Sequence, residues 1–273
     1  MSQIHIEKLV KNFGDFVAVA ESDLTINDGE FFVLLGPSGC GKTTTLRMIA
    51  GLEIPTSGKI LLDKEDVTFL RASQRDIAFV FQLFALYPHM NVRKNLAFPL
   101  KMQKFSKHEI ESRINEVAKL LRIEHIINSK VSGLAGGDRQ RVALGRAIVR
   151  RPKAFLMDEP LGTLDAEFRE LMCLELRKLH NNISATTVYV THDQLEAMSM
   201  GDRIAVMNEG KILQSGSPKE IYSKPKSKFV GSFIGSPAMN FIPINEGINS
   251  GQQNVKIGNI EFAIPKQYQD TNS

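Results

Sequence analysis

Two hydrophobic patterns alternate along the chain as far as Asn208. The runs FFVLLG at 31–36 and AFLM within KAFLMDEP at 153–160 are almost wholly apolar, which is typical of strands buried on both faces of a parallel sheet. The stretches IHIEKL, LTI and KILL also predict strands. Strand signals of this kind, separated by helical ones, predict an α/β fold.

Helical periodicity fills the intervals between the strand signals. Ser106 followed by Glu109 forms a capping box, and the apolar residues after it recur on one helix face. A second helix is predicted after Leu164. We therefore expect a mostly helical insertion at about 84–150 within the α/β sheet. The two apolar faces consist of Ile110, Ile114, Val117 and Leu121 in the first helix, and of Phe168, Leu171, Met172, Leu176 and Leu179 in the second.

The pattern changes from Ser236 onward. The pieces NFIPI, NVKIG and IEFAI predict short strands separated by Gly and Asn turns, after Pro218, Pro225 and Pro237. These strands suggest the beginning of a small β unit at 236–273, following one large domain at 1–235. A unit of about forty residues is too small to promise independent stability.

Composition narrows the classes of function. A chain of 273 residues with 42% hydrophobic and 23% charged residues is ordinary for a folded, soluble protein. The net charge of +4 and the lack of basic runs interleaved with aromatics give nucleic-acid binding little support. No apolar run approaches the roughly 18 residues of a membrane span, and MSQIHIEK has no apolar signal core, so we expect a cytoplasmic chain. Cys40 and Cys173 are expected to be reduced thiols.

A glycine-rich loop carries the strongest chemical signal. FFVLLGPSGCGKTTTLRMIAG matches G-x-x-x-x-G-K-[ST] between an apolar strand and a helix. Its glycines let backbone N–H groups face an anion, Lys42 is placed for the β and γ phosphates, and the Thr43 hydroxyl for magnesium. The alternative, an ordinary glycine turn, does not explain Lys42 beside a hydroxyl. The predicted nucleotide-binding residues are Gly36, Pro37, Ser38, Gly39, Cys40, Gly41, Lys42, Thr43 and Thr44.

Polar residues at the ends of other predicted strands extend this site. Asp158 is placed to hold magnesium, and Glu159 to accept a proton from attacking water. His192 follows VYVT, where its ring can donate to the γ phosphate; taken alone it would more often be structural. Gln82 follows IAFVF and is a weaker candidate. These residues are considered together because open α/β sheets bind ligands at the carboxyl ends of their strands.

The ordered motifs resemble a known family. Residues 36–44, Gln82, LAGGD at 134–138, LMDEP, Asp165 and His192 are similar to the ATP-binding subunit of ABC transporters. The resemblance covers nearly the whole chain. RDIAFVFQLFALYPHMNV, THDQLEAM and FVGSFIGSPAMNFIPI resemble, more narrowly, the carbohydrate-uptake importers of the maltose and glycerol-3-phosphate type. The implied fold is a P-loop NTPase (ABC ATPase) core with an antiparallel β subdomain and a helical subdomain, plus a truncated C-terminal β segment.

The resemblance implies cofactors and partners. ATP and Mg²⁺ would bind, with Thr43, Gln82 and Asp158 near the metal, and Phe13 would stack on adenine unless it is a core residue beside a turn. Residues 85–90 would dock against membrane subunits, at the cytoplasmic face of the plasma (inner) membrane. A periplasmic or extracellular solute-binding protein would act indirectly. Two ATP-binding subunits would form a homodimer or a heterodimer.

The stretch at 132–152 resembles the family signature that acts on the nucleotide of the opposite subunit. The family usually has serine where Ala135 stands and glutamine where Asp138 stands. It also has serine at Gly162, in LGTLD. The missing hydroxyl at 135 removes a hydrogen bond worth about 1.5–3 kcal/mol. The residues assigned to the signature and the following loop are Ala135, Gly136, Gly137, Asp138, Gly162 and Asp165.

Two functions follow from the resemblance. The first is an ATPase that energises import of a sugar or polyol-like solute such as glycerol, glycerol 3-phosphate or an oligosaccharide. The alternative is an ATP-binding but weakly hydrolysing half of a heterodimer, acting mainly as a structural coupling module. Neutral sequence drift accounts equally well for the altered residues at 135, 138 and 162, because the backbone N–H donors of Gly136 and Gly137 remain. A DNA-repair or chromosome ATPase would need a long coiled coil between Gly51 and Leu134, where no sustained heptads occur.

Overall fold

In a computed structural model, the chain folds into two compact units, Met1–Gly235 and Ser236–Ser273. The structure describes residues 2–82, 85–162, 164–183, 185–243, 249, 251–257 and 260–266. The strands are β1 Ile4–Phe13, β2 Phe16–Ile26, β3 Phe31–Leu35, β4 Ser57–Leu62, β5 Glu65–Asp66, β6 Ile77–Val80, β7 Ala154–Asp158, β8 Thr186–Thr191, β9 Arg203–Asn208, β10 Lys211–Gly216, β11 Asn254–Ile257 and β12 Ile260–Ala263. The helices are α1 Lys42–Ala50, α2 Val92–Met102, α3 Lys107–Leu120, α4 Gly136–Ile148, α5 Ala166–Ile183, α6 Gln194–Met200, α7 Pro218–Ser223 and α8 Lys228–Phe233.

The central sheet of the first unit has the strand order β10-β9-β3-β8-β7-β6. All its pairings are parallel except β9 with β10. Every residue of β3 and of β8 is buried, as the continuous apolar sequence predicts for β3, whereas β8 also buries Thr186, Thr187 and Thr191. The carboxyl ends of β3, β6, β7 and β8 lie along one edge, so the residues that follow these strands are brought together there.

A second sheet and a helical layer cover the two faces. The antiparallel sheet has the order β2-β1-β4-β5, and its core side packs with α1. Helices α2, α3 and α4 lie between β6 and β7 in sequence and share the other core with α5. This arrangement confirms the predicted α/β core with an antiparallel subdomain and a helical insertion.

The helix signals differ in how well they predicted burial. In α3 the Ser106 hydroxyl accepts from the Glu109 N–H at 3.3 Å, and the Glu109 carboxylate accepts from the Ser106 N–H at 3.1 Å, so the capping box is present. In α5 the prediction was wrong at Leu171, which is 47% exposed. The buried stripe runs through Met172, Leu176 and Leu179, and position 171 lies about 100° around the helix from it.

Within the described residues of the second unit, β11 pairs with β12 in antiparallel fashion, with Val255 opposite Phe262. These strands match the predictions from NVKIG and IEFAI. The strand predicted at NFIPI is wrong for residues 240–243, which form no regular element; Ile244 lies outside the described residues. No helix in the described part of the chain is long and apolar enough to cross a membrane.

Candidate functional site

The loop between β3 and α1 requires glycine at several positions, because a side chain there would be strained or would clash with neighbouring backbone. Gly39 and Gly41 have φ values of 79° and 103°, in the region that favours glycine. A Cβ at Gly36 would lie 2.2 Å from the Met207 carbonyl oxygen, and one at Gly41 would lie 2.4 Å from that of Ala18. The loop is therefore closely packed and ends at the first turn of α1, where unpaired N–H groups and the helix dipole favour an anion.

Lys42 lies inside this loop and is only 4% exposed. Its ammonium donates to the carbonyl oxygens of Gly36 at 2.8 Å and Pro37 at 2.9 Å. The contacts place a positive charge within the loop that the sequence predicts to hold phosphate. Of the neighbouring hydroxyl residues, Thr43 is exposed and Thr44 is half-buried.

Both cysteines are free and buried. Burial raises the pKa of the Cys40 thiol, although the nearby Lys42 ammonium acts in the opposite direction. Burial, with Glu196 and Asp193 nearby, raises the pKa of Cys173 to about 12. Both side chains are therefore neutral thiols at physiological pH, as the sequence predicts.

Thr43 and Asp158 join α1 to the end of β7. The Thr43 hydroxyl donates to the Asp158 carboxylate at 2.8 Å. Burial raises the pKa of Asp158, the Thr43 hydrogen bond lowers it, and the adjacent Glu159 charge raises it again. A hydroxyl and a carboxylate in contact are hard oxygen ligands of the kind that Mg²⁺ accepts.

Glu159 and His192 form the second contact at this edge. The Glu159 carboxylate lies 3.2 Å from His192 Nδ1, with the glutamate side chain 17% and the histidine side chain 50% exposed. Glu159 has φ 43°, a left-handed conformation that costs of order 1–3 kcal/mol in a residue with a side chain. Its N–H donates to the Val190 carbonyl at 3.0 Å, which fixes the turn. A water molecule beside this carboxylate would have a base within reach.

Gln82 and Phe13 occupy different surroundings. Gln82 is exposed after β6, and its amide nitrogen lies 3.8 Å from the position of a Cβ on Gly162, next to the Glu159 turn. Phe13 is 49% exposed at the β1–β2 hairpin, with the Lys11 ammonium 4.7 Å from its ring centroid. The exposure excludes the core alternative for Phe13. Among the described residues, no hydrogen bond or ion pair joins Phe13 to the cluster of Lys42, Asp158 and Glu159.

The predicted signature residues form the beginning of α4. Ala135 is the N-cap and provides no side-chain cap. A Cβ on Gly137 would lie 2.4 Å from the Phe168 ring, so this glycine permits close contact with α5. The Asp138 carboxylate lies 3.6 Å from the Arg141 guanidinium, which partly offsets its charge.

The loop before α5 contains the last two predicted site residues. A Cβ on Gly162 would have ordinary contacts, the nearest at 3.5 Å to the Glu159 carbonyl, so the position accepts a serine. The Asp165 carboxylate accepts from the Phe168 N–H at 2.9 Å and caps α5. Asp165 therefore has a local structural role besides any role toward a partner.

A polar network next to His192 was missed from the sequence. The Glu196 carboxylate is 3% exposed and accepts from the Tyr189 hydroxyl at 2.8 Å and the Thr191 hydroxyl at 2.7 Å. Burial raises the pKa of Glu196, while these two hydrogen bonds lower it. Asp193 caps α6 through the N–H groups of Leu195 and Glu196. The sequence does contain a pattern that predicts this cap, because Asp193 directly precedes the helical segment 194–200.

A phosphate-binding loop and two carboxylates at the same sheet edge define the chain as a P-loop ATPase. The family model described as ABC transporter matches residues 19–162. Together with the relatives described next, this match places the chain in the ABC transporter family, as an ATP-binding subunit.

Relatives and solved structures agree with this placement. The chain is 56% identical to the trehalose/maltose import ATP-binding protein MalK of Thermococcus litoralis, covering 89% of this chain and 67% of the relative. It is 52% identical to the sn-glycerol-3-phosphate import ATP-binding protein UgpC of Ruegeria pomeroyi, covering 89% and 69%. The cassette MJ0796, solved as a dimer bound to ADP and Pi, is 32% identical with a TM-score of 0.70, covering 79% and 98%. The structure of cbiO1 from Clostridium perfringens is 28% identical with a TM-score of 0.75, covering 81% and 90%.

Proposed function

We propose that this chain hydrolyses MgATP to energise the import of a sugar or polyol-like solute, working with membrane subunits at the cytoplasmic face of the membrane. The observation that carries the ATPase is the contact between Glu159 and His192 beside the Thr43–Asp158 pair. The solute class is supported by the relatives named for trehalose, maltose and glycerol 3-phosphate. A solute-binding protein would deliver the solute from outside.

The residues of the site have distinct roles in this proposal. The 36–44 loop and Lys42 hold the phosphates, and Thr43, Gln82 and Asp158 hold Mg²⁺ directly or through its water shell. Mg²⁺ bound by these residues would supply positive charge to neutralise the β and γ phosphates. Glu159 accepts the proton of the attacking water, and His192 donates to the γ-phosphate oxygen as charge develops there. Phe13 stacks on the adenine ring, for which its exposed position leaves room.

A second ATP-binding subunit completes each site. Gly136 and Gly137 direct the N-terminus of α4 toward the nucleotide of the opposite subunit. The loop at Gly162 and Asp165 lies next to this N-terminus of α4. Two features support this role: the glycines begin a helix of 13 residues, and among the described residues the nearest side-chain atom to a Cβ placed on Gly136 belongs to Leu164, at 3.9 Å. The dimeric cassette solved with ADP and Pi is consistent with such pairing.

One experiment tests the whole function. The chain is purified with membrane subunits encoded beside its gene, and the complex is reconstituted in vesicles. We expect MgATP hydrolysis to be coupled to uptake of labelled maltose, trehalose or glycerol 3-phosphate. Hydrolysis without uptake of any of the three would contradict the solute class, and no hydrolysis would contradict the ATPase itself.

Substituting the residues that the family usually has at positions 135, 138 and 162 should raise the rate of ATP hydrolysis. We expect Ala135→Ser with Asp138→Gln and Gly162→Ser to increase turnover by about 10- to 100-fold, because serine hydroxyls would add charge-assisted hydrogen bonds in the transition state. Ala135→Ser should also stabilise α4 by about 1 kcal/mol, since a serine cap is added. Turnover and thermal unfolding are measured for each single variant and for the triple variant. Higher stability with unchanged turnover would contradict a rate-limiting role for these positions.

The segment at 85–90 is the predicted contact with membrane subunits. Tyr87 is held by the protein itself: its N–H donates to Asn95 at 2.9 Å, and its ring packs against Phe98 at 4.7 Å between centroids. His89 is exposed on the same segment. The His89 ring also contacts Tyr87, with the ring centroids 6.3 Å apart. A charged substitution at His89 therefore tests docking while the Tyr87 contacts with Asn95 and Phe98 stay in place.

We expect His89→Glu to weaken the attachment of the chain to membrane subunits while leaving its MgATP affinity unchanged. Co-purification with the membrane subunits and ATP titration measure the two properties. His108→Glu, at an exposed histidine on α3, is the matched control. Equal weakening by both variants would show that added charge anywhere on the helical layer is sufficient, against a dock at 85–90.

A further inference from the structure

The Arg169 guanidinium joins the loop before α5 to the segment after His192. One terminal nitrogen donates to the Leu164 carbonyl at 2.9 Å. The other forms an ion pair with the Asp193 carboxylate at 3.0 Å. The Nε atom lies 3.7 Å from the buried Glu196 carboxylate. The planar guanidinium therefore contacts three groups through three separate nitrogens, whereas a lysine ammonium offers a single nitrogen.

The chain on both sides of His192 is held by hydrogen bonds. The Thr191 hydroxyl donates to Glu196 at 2.7 Å and accepts from the Asp193 N–H at 3.0 Å. Asp193 also caps α6 and pairs with Arg169. The residue before His192 and the residue after it are thus both tied to the Glu196 carboxylate, directly or through Arg169.

The His192 ring itself has little packing to orient it. Its side chain is 50% exposed, and the ring nitrogen lies 3.2 Å from the Glu159 carboxylate. Because few packing contacts hold the ring, its position beside Glu159 depends on where the segment Thr191–Asp193 holds the His192 backbone, and a shift of that segment carries the ring with it. A displacement of about 1 Å at a reacting group can lower a rate 100-fold.

We propose that Arg169 is a positioning residue for His192, holding the Asp193 side of the segment against the Leu164 carbonyl so that the ring stays beside Glu159. This inference rests on the proposed function, in which His192 donates to the transferred phosphate. Arg169 contacts no residue of the 36–44 loop through the hydrogen bonds and ion pairs that the structure describes. Its effect should therefore fall on turnover and not on nucleotide binding.

Arg169→Gln in the full chain tests the proposal by steady-state MgATP hydrolysis. We expect kcat to fall about 10- to 100-fold while KM changes less than about threefold, because the ring loses its orientation and the phosphate loop is untouched. Arg169→Lys should recover part of the loss. Asp193→Asn keeps an oxygen for the α6 cap and removes the charge of the pair, so we expect a smaller loss of kcat in the same direction.

Arg177→Gln is the matched control on the same helix. The Arg177 guanidinium donates to the Met200 carbonyl at 3.0 Å and to the Asp202 carboxylate at 2.6 Å, so it also joins a carbonyl to a carboxylate. Its partners lie at and just after the C-terminal end of α6, and no described hydrogen bond or ion pair joins Arg177 to Thr191, Asp193 or Glu196, so we expect its removal to leave kcat unchanged. Thermal unfolding is recorded for both variants. An equal fall in kcat for Arg177→Gln would overturn the positioning role, because loss of any such bridge on α5 would then be sufficient.

A double-mutant cycle with His192→Ala separates positioning from general support of the fold. If Arg169 acts through His192, Arg169→Gln should not lower the residual rate of His192→Ala further. A further fall by the same factor as in the wild-type background would overturn the proposal. If Arg169→Gln does not fold, Asp193→Asn decides in the same cycle. A wild-type chain without hydrolysis would overturn the ATPase as well, whereas additive losses in an active chain overturn the positioning role alone.

Discussion

Glu159→Gln should bind MgATP about as well as the wild-type chain and lower kcat by at least about a thousandfold, within the range for loss of a general base. The Glu159 carboxylate lies at the end of β7, 3.2 Å from His192 Nδ1, and is mostly buried. Glutamine has the same shape but its amide cannot accept the proton of the attacking water. The change also keeps a side chain of equal size on the left-handed turn, so the backbone cost of that turn is unchanged.

Binding and turnover are measured separately, by nucleotide titration and by phosphate release. Glu167→Gln is the control, since Glu167 is exposed in the first turn of α5. We expect wild-type turnover from the control. Hydrolysis by Glu159→Gln within tenfold of the wild-type rate would assign the base to another residue.

Lys42→Ala should weaken MgATP binding about 10- to 100-fold, because one charge-assisted contact to the phosphates, worth about 1.5–3 kcal/mol, is lost. The Lys42 ammonium is buried within the loop and bonded to the Gly36 and Pro37 carbonyls. The substitution therefore also removes the Lys42 donor from the Gly36 and Pro37 carbonyls, of which the Pro37 carbonyl keeps the Cys40 N–H at 3.4 Å, and some loss of stability is expected with the loss of affinity.

Titration with MgATP and with free adenosine separates the two effects. Loss of phosphate contact weakens MgATP binding and leaves adenosine binding unchanged, whereas a collapsed loop weakens both. Lys59→Ala, at an exposed lysine on β4, serves as the control. Wild-type affinity of Lys42→Ala for MgATP would contradict the phosphate-loop assignment.

Local patterns were sufficient for most of the fold. The apolar runs of β3 and β7 and the capping box of α3 depend on neighbouring residues, and the structure contains all three. The prediction failed where burial depends on distant partners. Leu171 is apolar and near the buried stripe of α5, but its side chain is 47% exposed, and a sequence does not show which side of a wide apolar face is covered.

The candidate site divides in the same way. The positions of Lys42, Asp158, Glu159 and His192 follow from motifs at strand ends, and the structure brings these side chains to one edge. Their catalytic roles remain predictions. Arg169 could not be found in this manner, because its contacts to Leu164, Asp193 and Glu196 belong to the tertiary structure and follow no local pattern.

The contact between Gly137 and Phe168 has a mechanical consequence. The Phe168 ring occupies the space where a side chain at position 137 would begin, so the first turns of α4 and α5 are in direct packing contact. Close-packed interiors transmit strain because they compress little. We therefore expect a displacement at the start of α4 to shift the start of α5 as well. Arg169 lies on that turn of α5 and is bonded to Asp193, so such a shift would also act on the segment that carries His192.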